Sequence, residues 1–209
     1  MTAPTLGFDA LPLRAATHSN LTQLGYTQMT PIQAASLHLT LAGRDVIAQA
    51  STGSGKTAAF GLPLVEKLDP AVSDAQALVL CPTRELAEQV TQEIRRLARA
   101  VGNVKVVTLC GGVALRGQAQ SLEHGAHVVV GTPGRILDHL ERGSLQLQAV
   151  KTLVLDEADR MLDMGFADDL EAIDKRCASR TQTLMFSATF APKIMSLANE
   201  LTTNAKRIR

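Results

Sequence analysis

The chain has 209 residues, enough for one large domain with a continuous core, and 45% of them are apolar against 20% charged. A formal net charge of +1 gives no global pull on a polyanion, so any nucleic-acid site has to be local. Aromatic residues are only 3% of the chain and tryptophan is absent, which argues against a base-stacking platform, and no apolar run approaches the roughly 18 to 20 residues that cross a bilayer.

The opening stretch, MTAPTLGFDALPLRAATHSN, has neither a basic start nor an unbroken apolar run. It does not read as a signal peptide, and a cytoplasmic location is expected. Residues 1–30 are expected to form an N-terminal extension containing Phe8, Gly25 and Tyr26, ahead of a single domain over residues 31–209. Thr30, Pro31, Ile32 and Gln33 read by themselves as a helix start, since proline is tolerated in a first turn. The cysteines Cys81, Cys110 and Cys177 are an odd number at wide spacing with no CxxC pair. They are expected to be reduced, the first two acting as small hydrophobes.

Short apolar runs recur at residues 45–50, 77–81, 105–110, 127–131, 152–156 and 183–188. Their near-continuous hydrophobicity fits strands buried on both faces, and the segments between them are long enough for crossover helices. The fold class is therefore α/β, a parallel sheet with helices on both faces. Between the second and third runs, Leu86, Val90, Ile94, Leu97 and Val101 make a stripe at helical spacing, with Arg95, Arg96 and Arg99 mostly off it on a solvated face.

After the first strand comes Ala50, Ser51, Thr52, Gly53, Ser54, Gly55, Lys56, Thr57, and then a helical run. Strand, glycine-rich turn and helix start are what a phosphate loop requires, because inward N–H groups and the helix N-terminus favour phosphate oxygens. Lys56 is placed to reach the β- and γ-phosphates and the Thr57 hydroxyl to ligate Mg²⁺. Ala50 stands where the general pattern has its first glycine. The fifth strand ends on Asp156, Glu157, Ala158 and Asp159. Asp156 is suited to hold Mg²⁺ and Glu157 to act as base on an attacking water. As a bare tetrapeptide, DEAD could equally be an acidic helix start.

Strand ends are also followed by Pro82, Thr83, Arg84; by Gly111, Gly112; and by Thr132, Pro133, Gly134, Arg135. Individually these read as strand-to-helix turns. As a set they offer helix starts, glycine backbones and arginines, groups that bind phosphate and sugar oxygens without reading bases. The histidines at 18, 38, 124, 127 and 139 form no metal set and are expected to be structural or solvated. The closing Lys206, Arg207, Ile208, Arg209 reads as a frayed basic terminus or the start of a linker.

Taken in order over about residues 8 to 190, these segments resemble the N-terminal RecA-like domain of DEAD-box RNA helicases, with the runs LVLCPTRELA, TLCGG and LVLDEADRMLDMGF closest to the bacterial DbpA-like branch. Alanine is common at the first position of that family's phosphate loop. The resemblance implies a Q motif in Gly25, Tyr26 and Thr30 to Gln33, with Phe8 as its isolated upstream aromatic, Gln33 on the adenine edge and Tyr26 stacking. It implies ATP and Mg²⁺ as ligands, with Lys56, Asp156 and Glu157 catalytic. It also implies RNA contacts through residues 82–84, 111–112 and 132–135, and a coupling bond from Ser187 and Thr189 to Asp159. The family's second RecA-like domain supplies arginines worth about 10³ to 10⁵ in rate. Residues 1–209 alone, expected to be monomeric, should hydrolyse ATP very slowly and unwind nothing. The rival readings are a P-loop ATPase acting on DNA and a nucleotide-dependent clamp without turnover.

Overall fold

The valine- and leucine-rich runs become the centre of a parallel sheet in the computed structural model, which describes residues 6–209. A 3₁₀ turn (Phe8–Ala10) leads to α1 (Ala15–Leu24) and α2 (Pro31–Thr40), followed by β1 (Val46–Gln49), α3 (Lys56–Glu66), β2 (Ala77–Leu80) and α4 (Arg84–Ala98). Next come β3 (Val106–Leu109), α5 (Leu115–Glu123), β4 (Val128–Gly131), α6 (Pro133–Glu141), β5 (Thr152–Leu155), α7 (Ala158–Asp163) and α8 (Ala167–Arg176). The chain continues through β6 (Gln182–Ser187), α9 (Pro192–Leu201) and β7 (Lys206–Ile208).

The seven strands lie in the order β3-β4-β2-β5-β6-β1-β7, and every pairing is parallel. Their side chains alternate between two cores. Val79, Val130, Val154 and Phe186 face the layer of α2, α3 and α4, while Leu80, Val129, Leu155 and Met185 face the layer of α6 to α9. Both faces are covered, which is why the strands read as continuous apolar runs.

Three local features show how sequence is reconciled with this frame. Pro63 sits inside α3 and cannot donate to the carbonyl of Ala59; the Thr40 hydroxyl donates there instead, at 3.2 Å. At the end of β4, a Cβ on Gly131 would lie 2.4 Å from the Leu109 carbonyl oxygen, so glycine is needed for β3 and β4 to approach. Gly131→Ala is expected to cost about 1 to 3 kcal/mol of stability, read as a lowered denaturation midpoint; an unchanged midpoint would show that the strands part freely. The cysteines are free and buried, and burial pushes the Cys177 thiol up to about 12.

One expectation about the ends is revised. Residues 206–208 are not a frayed tail: they form β7, an edge strand paired with β1 from Val46 to Ala48. Three residues carry too little periodicity to announce a strand, and the pairing partner is far away in sequence. At the other end, residues 6–30 pack on the domain. Asn20 Nδ2 donates to the carbonyls of Arg96 and Leu97 at the end of α4, and Arg14 donates from its backbone N–H to Glu66.

Candidate functional site

The loop joining β1 to α3 is shaped by two glycines and anchored by the segment before α2. Ala50 donates its N–H to the Ser187 carbonyl at 2.9 Å, continuing the ladder between β1 and β6, and its backbone has no positive φ that would call for glycine. Gly53 and Gly55 make the turn with φ of 80° and 83°, a conformation costly for any residue with a Cβ. A Cβ on Gly55 would also meet Gln33 Nε2 at 2.6 Å. The reason is a latch. The Thr30 hydroxyl donates to the Ser54 carbonyl at 2.8 Å, and Gln33 Nε2 donates to the Gly55 carbonyl at 3.0 Å. Gln33 Oε1 accepts from the Thr30 N–H at 2.8 Å, leaving the carboxamide one N–H and one lone pair.

Beside the loop lies a cleft of about 530 Å³ whose lining includes Tyr26, Gln33, Gly55, Lys56, Thr57 and, from α4, Glu93. The Tyr26 hydroxyl is bonded to the Glu93 carboxylate. Phe8 is buried behind it, edge-on to the Tyr26 ring with centroids 5.4 Å apart, and does not line the cleft. Its part is to brace the tyrosine.

Lys56 begins α3 and is itself buried, so its ammonium must find partners within the protein. It lies 2.9 Å from Asp156 Oδ1 and 3.5 Å from Glu157 Oε1, at the end of β5. The first contact is an ion pair rather than an aligned hydrogen bond: both Asp156 oxygens are fully buried without a hydrogen-bond partner. Burial pushes the Asp156 carboxyl up, and the Lys56 charge pulls it part of the way back. Glu157 has φ 55° and ψ 54°, a left-handed conformation that costs a non-glycine residue about 1 to 3 kcal/mol. That turn carries its carboxylate to the loop, where Oε1 accepts from the Thr52 hydroxyl at 3.2 Å. Its Oε2 accepts from Arg160 Nη1 at 2.9 Å.

The other predicted segments follow β2, β3 and β4, three neighbours in the sheet, and so share the edge that carries the phosphate loop and Asp156. Thr83 caps α4, accepting from the Leu86 N–H at 3.3 Å, while Pro82 is buried beneath it. Arg84 is exposed, paired with Glu88 at 3.0 Å, and its guanidinium rests against Gly112, where a Cβ would come within 2.7 Å. Gly111 and Gly112 are exposed. Thr132, Pro133 and Gly134 open α6, with Pro133 buried. The Arg135 side chain is only 17% exposed, and Nη1 donates to the Val113 carbonyl at 2.8 Å and to Gln118 Oε1 at 3.2 Å.

The expected bond from Ser187 and Thr189 to Asp159 is not made. Asp159 Oδ1 and Ser187 Oγ are each buried without a partner, and Thr189 is exposed. Ser187 is held on β6 by its register opposite Gln49, while Asp159 is carried by α7. Residues that sequence reading missed include Arg160 and Glu93, which hold Glu157 and Tyr26. The spacing of three from Glu157 to Arg160 was a visible signal; the Glu93 contact joins segments far apart in the chain.

The family model described as DEAD/DEAH box helicase matches residues 30–197. Among curated proteins, the chain is 54% identical over 183 residues to the ATP-dependent RNA helicase DbpA of Escherichia coli, covering 88% of this chain and 40% of that protein. It is 43% identical over 205 residues to the DEAD-box ATP-dependent RNA helicase CshA of Bacillus licheniformis, covering 98% of this chain and 42% of that one. The chain thus spans about two fifths of the length of these relatives. The crystal structure of a DEAD box protein from the hyperthermophile Methanococcus jannaschii superposes with a TM-score of 0.92 at 41% identity, over 97% of this chain and 55% of that chain. With the parallel fold, the phosphate loop and the paired carboxylates in place, this chain belongs to the DEAD/DEAH box helicase family.

Proposed function

We propose that the chain is the ATP-binding RecA-like domain of an RNA helicase, coupling ATP binding and hydrolysis to RNA-backbone binding and local unwinding in the complete protein. The observation that carries the reading is the convergence of Lys56, Asp156 and Glu157 beside a cleft that Gln33 and Tyr26 line. The relatives named as ATP-dependent RNA helicases support it.

In this reading Lys56 exchanges its carboxylate partners for β- and γ-phosphate oxygens, and the loop N–H groups hold the rest of the triphosphate. The remaining N–H and lone pair of Gln33 take the adenine edge, and Tyr26 supports the ring. Glu157 accepts the proton of the attacking water, held in place by Thr52 and Arg160. Asp156 and Thr57 fit a magnesium ion, because hard oxygen donors suit it and the buried Asp156 carboxylate, beside the Lys56 ammonium, makes no aligned hydrogen bond. Bound magnesium supplies positive charge to the phosphate oxygens.

Residues 82–84, 111–112 and 132–135 bind phosphates and sugars of a strand whatever its sequence, with hydroxyl contacts selecting RNA. Arg84 offers the exposed charge and Arg135 acts from within. A bond between Asp159 and Ser187, whose polar atoms are both buried without a partner, couples the two halves. The complete protein is a cytoplasmic monomer whose second RecA-like domain adds the missing arginines, so residues 1–209 alone turn over ATP very slowly. ATP hydrolysis by the complete protein, measured with RNA and with DNA of the same sequence, tests the reading. RNA should stimulate and DNA should not; equal stimulation by DNA would favour a DNA enzyme, and none by either would dismiss the coupling.

A further inference from the structure

Behind the exposed turn at residues 111–114 lies a buried polar cluster that neither nucleotide binding nor core packing uses. Gln118 on α5 is 6% exposed and His139 on α6 is fully buried. Gln118 Nε2 donates to the Cys110 carbonyl, the last residue before the turn, at 2.9 Å. Its Oε1 meets His139 Nε2 at 2.8 Å and accepts from Arg135 Nη1 at 3.2 Å. Arg135 Nη1 also donates to the Val113 carbonyl at 2.8 Å, on the far side of the turn. The ring is closed: one carboxamide grips the start of the turn, and the arginine it holds grips the end.

The protonation follows from valence. A carboxamide oxygen only accepts, so His139 carries a proton on Nε2; the Ser144 hydroxyl lies 2.6 Å from Nδ1 and 3.2 Å from the His139 carbonyl, and can donate to either. Burial and the neighbouring Arg135 charge both lower the His139 pKa, which keeps it in this neutral form at neutral pH. Both lone pairs of Gln118 Oε1 are then used. In a buried site of this kind, satisfied groups reinforce one another and a missing one is costly.

We propose that Gln118 and His139 are positioning residues that lock the turn at 111–114 and the α6 start at 132–135 into one arrangement for a nucleic-acid backbone. The proposal rests on the RNA reading above for its purpose, and on the bonds alone for its linkage. The side-chain bonds described for the carbonyls bracketing the turn come from Gln118 and Arg135, while the turn residues themselves are exposed. Arg84 leans on the same turn at Gly112, so all three strand-end segments meet at the element this cluster sets.

The test compares the parent chain with Gln118→Met, which removes the donor to Cys110 and the acceptor of both Arg135 and His139. Hydrogen exchange is followed without RNA, and the affinities for poly-uridine and for ATP are measured separately. Amide exchange should rise at 111–114 and 132–135 together and stay unchanged at residues 50–57. Poly-uridine affinity should weaken roughly three- to tenfold while ATP affinity is retained. Gln118→Glu keeps the acceptor for Arg135 and His139 but turns the donor to Cys110 into a carboxylate oxygen facing that carbonyl, so exchange should still rise at 111–114, and it serves where the methionine variant does not fold. The proposal is overturned if only one segment loosens, if RNA affinity is unchanged, or if RNA and ATP affinities fall by the same factor. A parent chain that binds no poly-uridine would refute the RNA purpose, while the exchange comparison still decides the linkage.

Discussion

Glu157→Gln in the complete protein should lower ATP turnover by roughly 10² to 10⁴ while leaving ATP affinity close to the parent value. The carboxylate reaches the phosphate loop only because residue 157 adopts the left-handed conformation, and its two oxygens are fixed from opposite sides by Thr52 and Arg160. Glutamine has nearly the same shape and keeps an acceptor for one of these donors. It cannot accept a proton from water at neutral pH. The variant should therefore hold ATP without consuming it, and RNA bound in its presence should dissociate slowly. Turnover within a few-fold of the parent would mean that another group is the base.

Lys56→Ala should remove most ATP affinity, because a charged hydrogen bond to phosphate is worth about 1.5 to 3 kcal/mol, or about ten- to a hundredfold. It also exposes how the buried pair is balanced. Lys56 partly offsets the upward push of burial on Asp156, so without it the carboxyl rises further above its unfolded value. The folded variant then binds a proton that the unfolded chain releases above about pH 4. Its stability should be greatest at acid pH and fall as pH rises through the folded-state value, up to the roughly 3 to 5 kcal/mol of a broken buried pair. A variant whose stability relative to the parent does not change with pH would show that Asp156 is solvated, contrary to its full burial.

How much of this was legible in the sequence depended on how local each feature is. The six main strands, the phosphate loop and the carboxylates at the end of β5 are contiguous segments with their own periodicity or spacing, and they lie where those patterns put them. The role of Gln33 as a latch on Gly55 was not legible, because its partner is a backbone carbonyl on another element. The same holds for the Gln118 and His139 cluster: a lone buried histidine has no pattern, and its meaning appears only when α5 and α6 pack together. Arg135 was legible as a motif arginine, but its bonds to Val113 and Gln118 appear only once α5 and α6 pack together. The strand at residues 206–208 fails for want of length, not of ambiguity.

The central claim is that one edge of the sheet carries an ATP half and an RNA half side by side. Hydrogen exchange of the complete protein with ATP and magnesium, and separately with single-stranded RNA, tests it most directly. ATP should protect residues 50–57 and 156–157, and RNA should protect 82–84, 111–112 and 132–135, with each set deepened when both ligands are present. Protection by RNA at the opposite edge, around residues 43–45 and 181–183, or no protection of the phosphate loop by ATP, would contradict it.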